Sequence, residues 1–326
     1  MKKRLSILLP LLVLALMSCK RIPLYDLGQQ AVHLVLTLDL KLDLEVDLDV
    51  DVDVEVSAAI KMPEHHKVLF YAPDDDHLRY TEFVDSTGGI ISTPAGNYQM
   101  LVYSFGTEYV QIRGEGDIST IEAFTSDITV SKSAALAACT RGTEDEPQGP
   151  IIYAPDHLLV ARDLVEVPLM TTEEQSVVLH ASSKTIVETY SFEVHSVIGA
   201  SYIESCEAFV TNQARSSFFG RGEVSQEPAT LSFPVGVNRQ KGCLYTTFNT
   251  FGKLPGESHS FLHVLIRDTG GKEHHFSKDI TDQFEKKDHH IIIDEPVDIP
   301  PPQTASGGIA PTVEPWNEET LDVPIG

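Results

Sequence analysis

The sequence predicts an all-β protein with little helix, laid out in two halves of similar style. Three observations carry this reading. Apolar and polar residues alternate with period two over most of residues 32–296, so that successive side chains fall on opposite faces of strands. Turn signals such as Gly88-Gly89, Pro94-Ala95-Gly96-Asn97 and Gly270-Gly271 punctuate these runs. Helical patterning is confined to residues 129–138 and 279–286, the second with Ile280 and Phe284 on one face. A chain of 326 residues is long enough for two domains of ordinary size.

The N-terminus carries a different pattern. Lys2, Lys3 and Arg4 precede an apolar run over residues 7–16, long enough for the core of a signal peptide and too short to span a bilayer, which takes ~20 apolar residues. Leu16-Met17-Ser18-Cys19 follows and resembles the bacterial lipobox. The small Ser18 gives a peptidase access, and the thiolate of Cys19 is the good nucleophile for transfer of a diacylglyceryl group. The expectation is a signal peptide at 1–18 and a lipidated linker at 19–31, held at a membrane by more than one acyl chain.

Strand patterning then begins abruptly. From Leu34 to Val56 the even positions are all Leu or Val, and the odd positions from Asp39 onward are mostly Asp or Glu. As one strand these residues would reach ~75 Å, several times an ordinary strand. The sequence therefore predicts a core strand over 34–42 and an arm or added edge strand over about 45–56. Further strands are expected at 67–71, 80–84, 98–105, 109–112, 121–125 and 151–164. The second half gives strands at 176–180, 184–197, 201–209, 229–237, 244–248, 259–267, 273–276 and 289–293. Residues 296–315 are rich in Pro, Gly and Ser and read as linker, and 321–325 alternate once more.

Charge disfavours whole classes of partner. The formal net charge of −24 disfavours phosphate contacts, which argues against nucleic acid as a ligand and makes membrane attachment rest on acyl chains rather than on attraction to anionic lipid. Beyond Cys19, the remaining cysteines are Cys139, Cys206 and Cys243, too few and too far apart for a disulfide framework or a metal knuckle. One bridge between Cys206 and Cys243, or three free thiols, are both compatible with an envelope protein.

Four motifs recur together in a known group. They are Val32-His33-Leu34-Val35-Leu36 with Val68-Leu69-Phe70-Tyr71; Gly96-Asn97-Tyr98 with Val102-Tyr103-Ser104-Phe105-Gly106; Ile151-Ile152-Tyr153-Ala154-Pro155-Asp156-His157; and Tyr245-Thr246-Thr247-Phe248-Asn249-Thr250-Phe251-Gly252. In this order behind a lipobox, the chain resembles the fimbrillin-like lipoproteins of Bacteroidota, of the fimbrial anchor type or a related group known only as a domain of unknown function. The resemblance implies two tandem transthyretin-like β-sandwiches. The N-terminal one would cover 32–168 with the acidic repeat inserted at about 43–56, the C-terminal one 169–296, and a tail 297–326 with a terminal strand. It implies an outer-membrane protein, facing outward or toward the periplasm, that acts as a minor or anchor component of type V-like fimbriae through β-strand addition to partner subunits. The alternative is a surface lipoprotein whose loops bind a glycan or a host protein. Subunits of this group are trimmed after arginine. Arg141, in an acidic loop, is the candidate position here, and an anchor is expected to stay whole.

Sites for chemistry are sparse. The ladder Asp47, Asp49, Asp51 and Asp53 supplies candidate calcium ligands, but carboxylates two apart on a strand sit ~7 Å from each other, so a solvated, charge-protected strand face is the plainer reading. His259 and His263 have zinc-like spacing only on a helix, and here they sit in a strand run. No nucleophile elbow or metalloprotease motif occurs. The expectation is a non-enzymatic protein without a cofactor, its one functional residue being the lipidated Cys19.

Overall fold

The computed structural model describes residues 28–41, 60–128, 130–143, 145–170, 177–256, 259–286 and 289–302. The first part of the chain forms β1 (Gln29–Asp39), β2 (His65–Tyr71), β3 (Leu78–Asp85), β4 (Gly88–Pro94), β5 (Gly96–Ser104), β6 (Val110–Arg113), β7 (Glu122–Thr125), α1 (Val130–Thr140), β8 (Ile151–Tyr153), β9 (Leu159–Val167) and β10 (Val177–Thr185). It continues through β11 (Glu188–Val194), β12 (Val197–Ile198), β13 (Ile203–Ala214), β14 (Ser216–Phe218), β15 (Glu223–Val224), β16 (Pro228–Pro234), β17 (Gly236–Asn238) and β18 (Cys243–Thr250). The last elements are β19 (Phe261–Asp268), β20 (Glu273–Asp279), α2 (Thr281–Phe284), β21 (His290–Ile293) and β22 (Val297–Asp298). The protein is thus all-β with little helix, as the patterning predicts.

The alternation of β1 decides its place. Val32, Leu34 and Leu36 are buried while Ala31, His33 and Val35 face out. β1 lies between β4, antiparallel from Gln29↔Pro94 to Val35↔Gly88, and β10, parallel from Val32↔Val177 to Asp39↔Lys184. With β9, β5, β2 and β3 these strands close on themselves in the order β1-β10-β9-β5-β2-β3-β4. The closure is narrow. β3 meets β4 only at Asp85↔Gly88, and β9 meets β10 only at Lys184↔Val160 and Thr185↔Leu159. The result is a sandwich, with β4-β1-β10 facing β3-β2-β5-β9 across a core of Val32, Leu34, Phe70, Ile91, Met100 and Leu179.

β2 and β5 read as unbroken apolar runs because both their faces are covered. Val68 and Phe70 enter the sandwich core, whereas Leu69 and Tyr71, with Leu101 and Tyr103, pack outward on Ile121, Phe219 and Phe251. The loop after β6 is clamped to this outer face. Lys67 Nζ lies 2.7 Å from both carboxylate oxygens of Glu115, Tyr103 donates its hydroxyl to the same carboxylate, and Tyr71 Oη donates to the Glu115 carbonyl at 3.0 Å. Burial, and then the charge of Glu115, push both phenols well above the usual tyrosine range.

A second pair of sheets follows. The order β20-β19-β13-β16-β8 stacks on β17-β18-β11-β21 around Phe192, Val194, Val210, Leu231, Leu244 and Val264. A small sheet, β15-β14-β7-β6, bridges early and late segments. Leu136 of α1 packs on Ile128, Ile151 and Phe209, the outer face of the five-stranded sheet. Ile280 and Phe284 are buried against the second core, as their spacing predicts.

Three expectations shift. The first strand expected after residue 169, now β10, belongs to the first sheet system, so the strand pairing crosses the 168/169 boundary; β8 in turn joins the second system through Thr230↔Ile151. A half-buried strand has the same alternation whichever sheet it joins. Gly88-Gly89 is strand rather than turn: Gly88 has φ +109°, and a Cβ there would lie 2.0 Å from the Leu34 carbonyl oxygen, so glycine is required where β4 meets β1. The start of the expected tail is docked, with Val297 and Asp298 paired to Val197 and Ile198 and Ile299 buried. The acidic stretch 43–56 and the terminal alternation at 321–325 lie outside the described residues.

Candidate functional site

The sequence-predicted residues divide in two. Cys19 and the candidate calcium ligands Asp47, Asp49, Asp51 and Asp53 lie outside the described residues. Those within them have structural partners. His259 pairs with Asp279 at 3.0 Å on the surface, whereas His263 is fully buried against His275, so the two are not brought together. Among the described residues no group of three or more His, Cys, Asp or Glu is arranged to hold a metal ion, and no helix is long and apolar enough to cross a membrane.

Asp156 accepts from the Tyr109 and Val110 amides at 2.5 and 3.4 Å, and His157 Nδ1 lies 3.1 Å from Thr185 Oγ1, so this motif ties a loop to a strand end. Cys139, Cys206 and Cys243 are all free, which settles the disulfide alternatives in favour of thiols. Cys206 is buried in the second core, and desolvation pushes its thiol far above the usual range. Arg141 is exposed just beyond α1.

The feature most open to a partner is the seam between β9 and β10. The strands run antiparallel and exchange ladder bonds only at Lys184↔Val160 and Thr185↔Leu159. Beyond that end no further ladder pair joins them among the described residues. Among the described residues, one edge of β10 over 177–183 and one edge of β9 over 161–167 have no ladder partner, although the opposite edges are fully paired to β1 and β5. Leu164, 82% exposed, and Val178 stand on these two strands, facing out. Such edges are the places where a further strand adds. The sequence shows β9 and β10 as strands but carries no signal that they pair over only two residues each.

A second exposed cluster sits at the end of the same sandwich. Phe83, Phe105 and Met62 are exposed, Phe105 stacks on His65 and meets Phe83 edge to face, and Lys67 lies 5.9 Å from the Phe83 ring centre.

Residues 39–234 match the family model described as Domain of unknown function (DUF5119). The chain belongs to this family. It is 28% identical over 183 residues to a Bacteroides ovatus protein named "Putative fimbrium anchoring subunit Fim4B", an alignment covering 55% of this chain and 50% of that one. The chain thus matches about half the length of this curated relative. In structure it resembles a crystal structure of a "putative adhesin" from Bacteroides ovatus, with TM-score 0.57 and 21% identity, covering 87% of this chain and 97% of that one. A second Bacteroides ovatus structure of the same description superposes with TM-score 0.48 at 12% identity, covering 82% and 90%. At 21% identity the first likeness establishes the fold alone: the β-sandwich architecture seen in this chain.

Proposed function

We propose that this protein is a lipid-anchored component of the cell envelope that joins a fimbrium to the membrane, as an anchor or minor subunit. The observation that carries the reading is the short ladder between β9 and β10, joined by only two pairs among the described residues. A strand laid between them would gain backbone hydrogen bonds from β10 on one side and β9 on the other, with alternate side chains entering beside Leu179 and Ala181. The relative named as a fimbrium anchoring subunit supports the assignment of the partner as a fimbrial subunit. The lipobox at Cys19 supplies the attachment, to the outer membrane. No catalytic step, cofactor or metal is part of the role, and the chain is used uncut at Arg141.

Two measurements test this. A photo-crosslinking residue at position 164 in intact cells should yield one predominant adduct containing a fimbrial subunit, and the same subunit should co-purify in stoichiometric amount. A protein recovered alone, with no adduct at that position, would remove both the partner and the strand-addition mechanism.

A further inference from the structure

We infer that the outer face of the five-stranded sheet, beside α1, is a binding site for a neutral oligosaccharide. The argument starts from the sheet register. On β13 the residues Ser205, Glu207 and Phe209 point away from the core, because Cys206, Ala208 and Val210 point into it. Directly across the ladder, Ser205 faces Arg267, Glu207 lies between Leu265 and Pro234, and Arg267 faces Glu273. α1 covers only part of this face, through Leu136 on Phe209. The uncovered part is a groove of about 650 Å³, within the size range of small-molecule sites, with Ala135 of the helix along one side.

One end of the groove is aromatic. The Tyr109 and Tyr153 rings stack, with centroids 5.2 Å apart and planes at 24°, and Tyr109 is 39% exposed, which leaves part of that ring open to solvent. The floor is mixed. Leu265 is half-buried, and Glu207 accepts a hydrogen bond from Ser232 Oγ at 2.5 Å, which fixes its carboxylate in the groove. The guanidinium of Arg267 lies 3.4 Å from Glu204, so the cation at this surface is matched by an acid.

This combination selects a chemistry. A pyranose has one face of C–H groups and a rim of hydroxyls. The first suits an open tyrosine ring and the second suits carboxylate, hydroxyl and guanidinium groups, which together both donate and accept. A polyanion is disfavoured by Glu204, Glu207 and Glu273 and by the net charge of −24. An extended peptide is disfavoured because the backbone groups of the floor are already used: β13 is paired on both edges, to β16 and to β19. The site uses neither edge of the β9–β10 seam and stands or falls separately from the fimbrial role.

The test is calorimetric titration of the detergent-solubilised full chain with four neutral tetrasaccharides (of glucose, galactose, mannose and N-acetylglucosamine) and one of galacturonic acid. At least one neutral sugar is expected to bind. Tyr109→Ala should weaken it by roughly thirtyfold, the low end of a hot-spot contact. Ala135→Trp, which fills the groove from the helix side, should abolish it without loss of thermal stability, and it decides the matter should Tyr109→Ala fold poorly. Absence of binding by all four neutral sugars overturns the inference. So does preference for the acidic sugar, or binding that survives Ala135→Trp.

Discussion

The imidazole of His263 lies against that of His275, Nδ1 to Nε2 at 3.2 Å, with ring centroids 5.4 Å apart and planes at 16°. Asp145 approaches the same Nδ1 to 3.8 Å and also accepts the hydroxyl of Ser277, so the loop after α1 is fastened to β19 and β20 at this point. His263 is fully buried, and that burial pushes its pKa down to about 4, with the nearby Asp145 opposing only part of the shift.

A histidine held neutral in the fold makes stability fall in acid. The unfolded chain takes up its proton near pH 6.5, whereas the folded chain resists until about 4. The contribution is therefore intact above pH 6.5 and is lost progressively down to pH 4. The difference between those values corresponds to roughly 3 kcal/mol. His66, His157 and His275 are shifted downward by burial as well and act in the same direction. Urea unfolding between pH 7.5 and 4 should show this slope, and His263→Leu should flatten it; parallel curves for the two proteins would remove His263 as the cause.

Core and seam should respond oppositely to truncation. Phe70 is fully buried between the sheets of the first sandwich, so Phe70→Ala should cost ~3–5 kcal/mol. Leu164 is exposed beside the β9–β10 seam, and Leu164→Ala should change stability by less than ~0.5 kcal/mol while reducing association with a fimbrial subunit. A comparable loss of stability in both variants would mean that Leu164 is part of the core.

The thiols give a direct check on the cysteine assignment. Reducing agent should leave the melting temperature unchanged, since the described cysteines form no bridge. In the native protein iodoacetamide should label the exposed Cys139 first, and Cys206 only after unfolding, because it is buried and its thiol is held protonated. Early labelling of Cys206, read by peptide mass, contradicts its place in the second core.

Attachment and the acidic repeat are tested by two variants. Cys19→Ala should leave the protein soluble or unprocessed; a matured variant found wholly in the membrane fraction contradicts lipidation. Deleting residues 43–56 should spare folding. The full-length chain should self-associate as the pH falls toward the ordinary carboxylate range near ~4, and the deletion should not. Unfolding of the first sandwich on deletion would make the repeat part of its core.

How far the sequence speaks for this fold depends on which interaction fixes each feature. Val68-Leu69-Phe70-Tyr71 and Met100-Leu101-Val102-Tyr103 are apolar on both faces, and both faces are indeed covered. The even residues of β1 are legible as its buried face for the same local reason. What alternation does not encode is the partner. β10 pairs with β1, some 145 positions earlier in sequence at Val32↔Val177, and β8 pairs with β16, contacts that arise only when distant segments meet. β4 escaped notice because its glycines and Pro94 carry turn chemistry, whereas Gly88 is there to let two backbones approach. The Tyr109–Tyr153 stack joins a loop residue just before β6 to one on β8, and neither tyrosine is distinctive alone.

The placement of β1 has a mechanical consequence. Its N-terminal end leads toward the proposed membrane attachment, yet the strand is interior to its sheet, held by seven residue pairs on the β4 side and eight on the β10 side. A pull on that end runs along the strand axis, while the ladder bonds lie across or slanted to it. The bonds are then strained together in shear rather than unzipped one after another from an edge. Tension between a membrane and a filament would enter the molecule at the middle of a sheet, where a single strand can slide only if both neighbours release it at once.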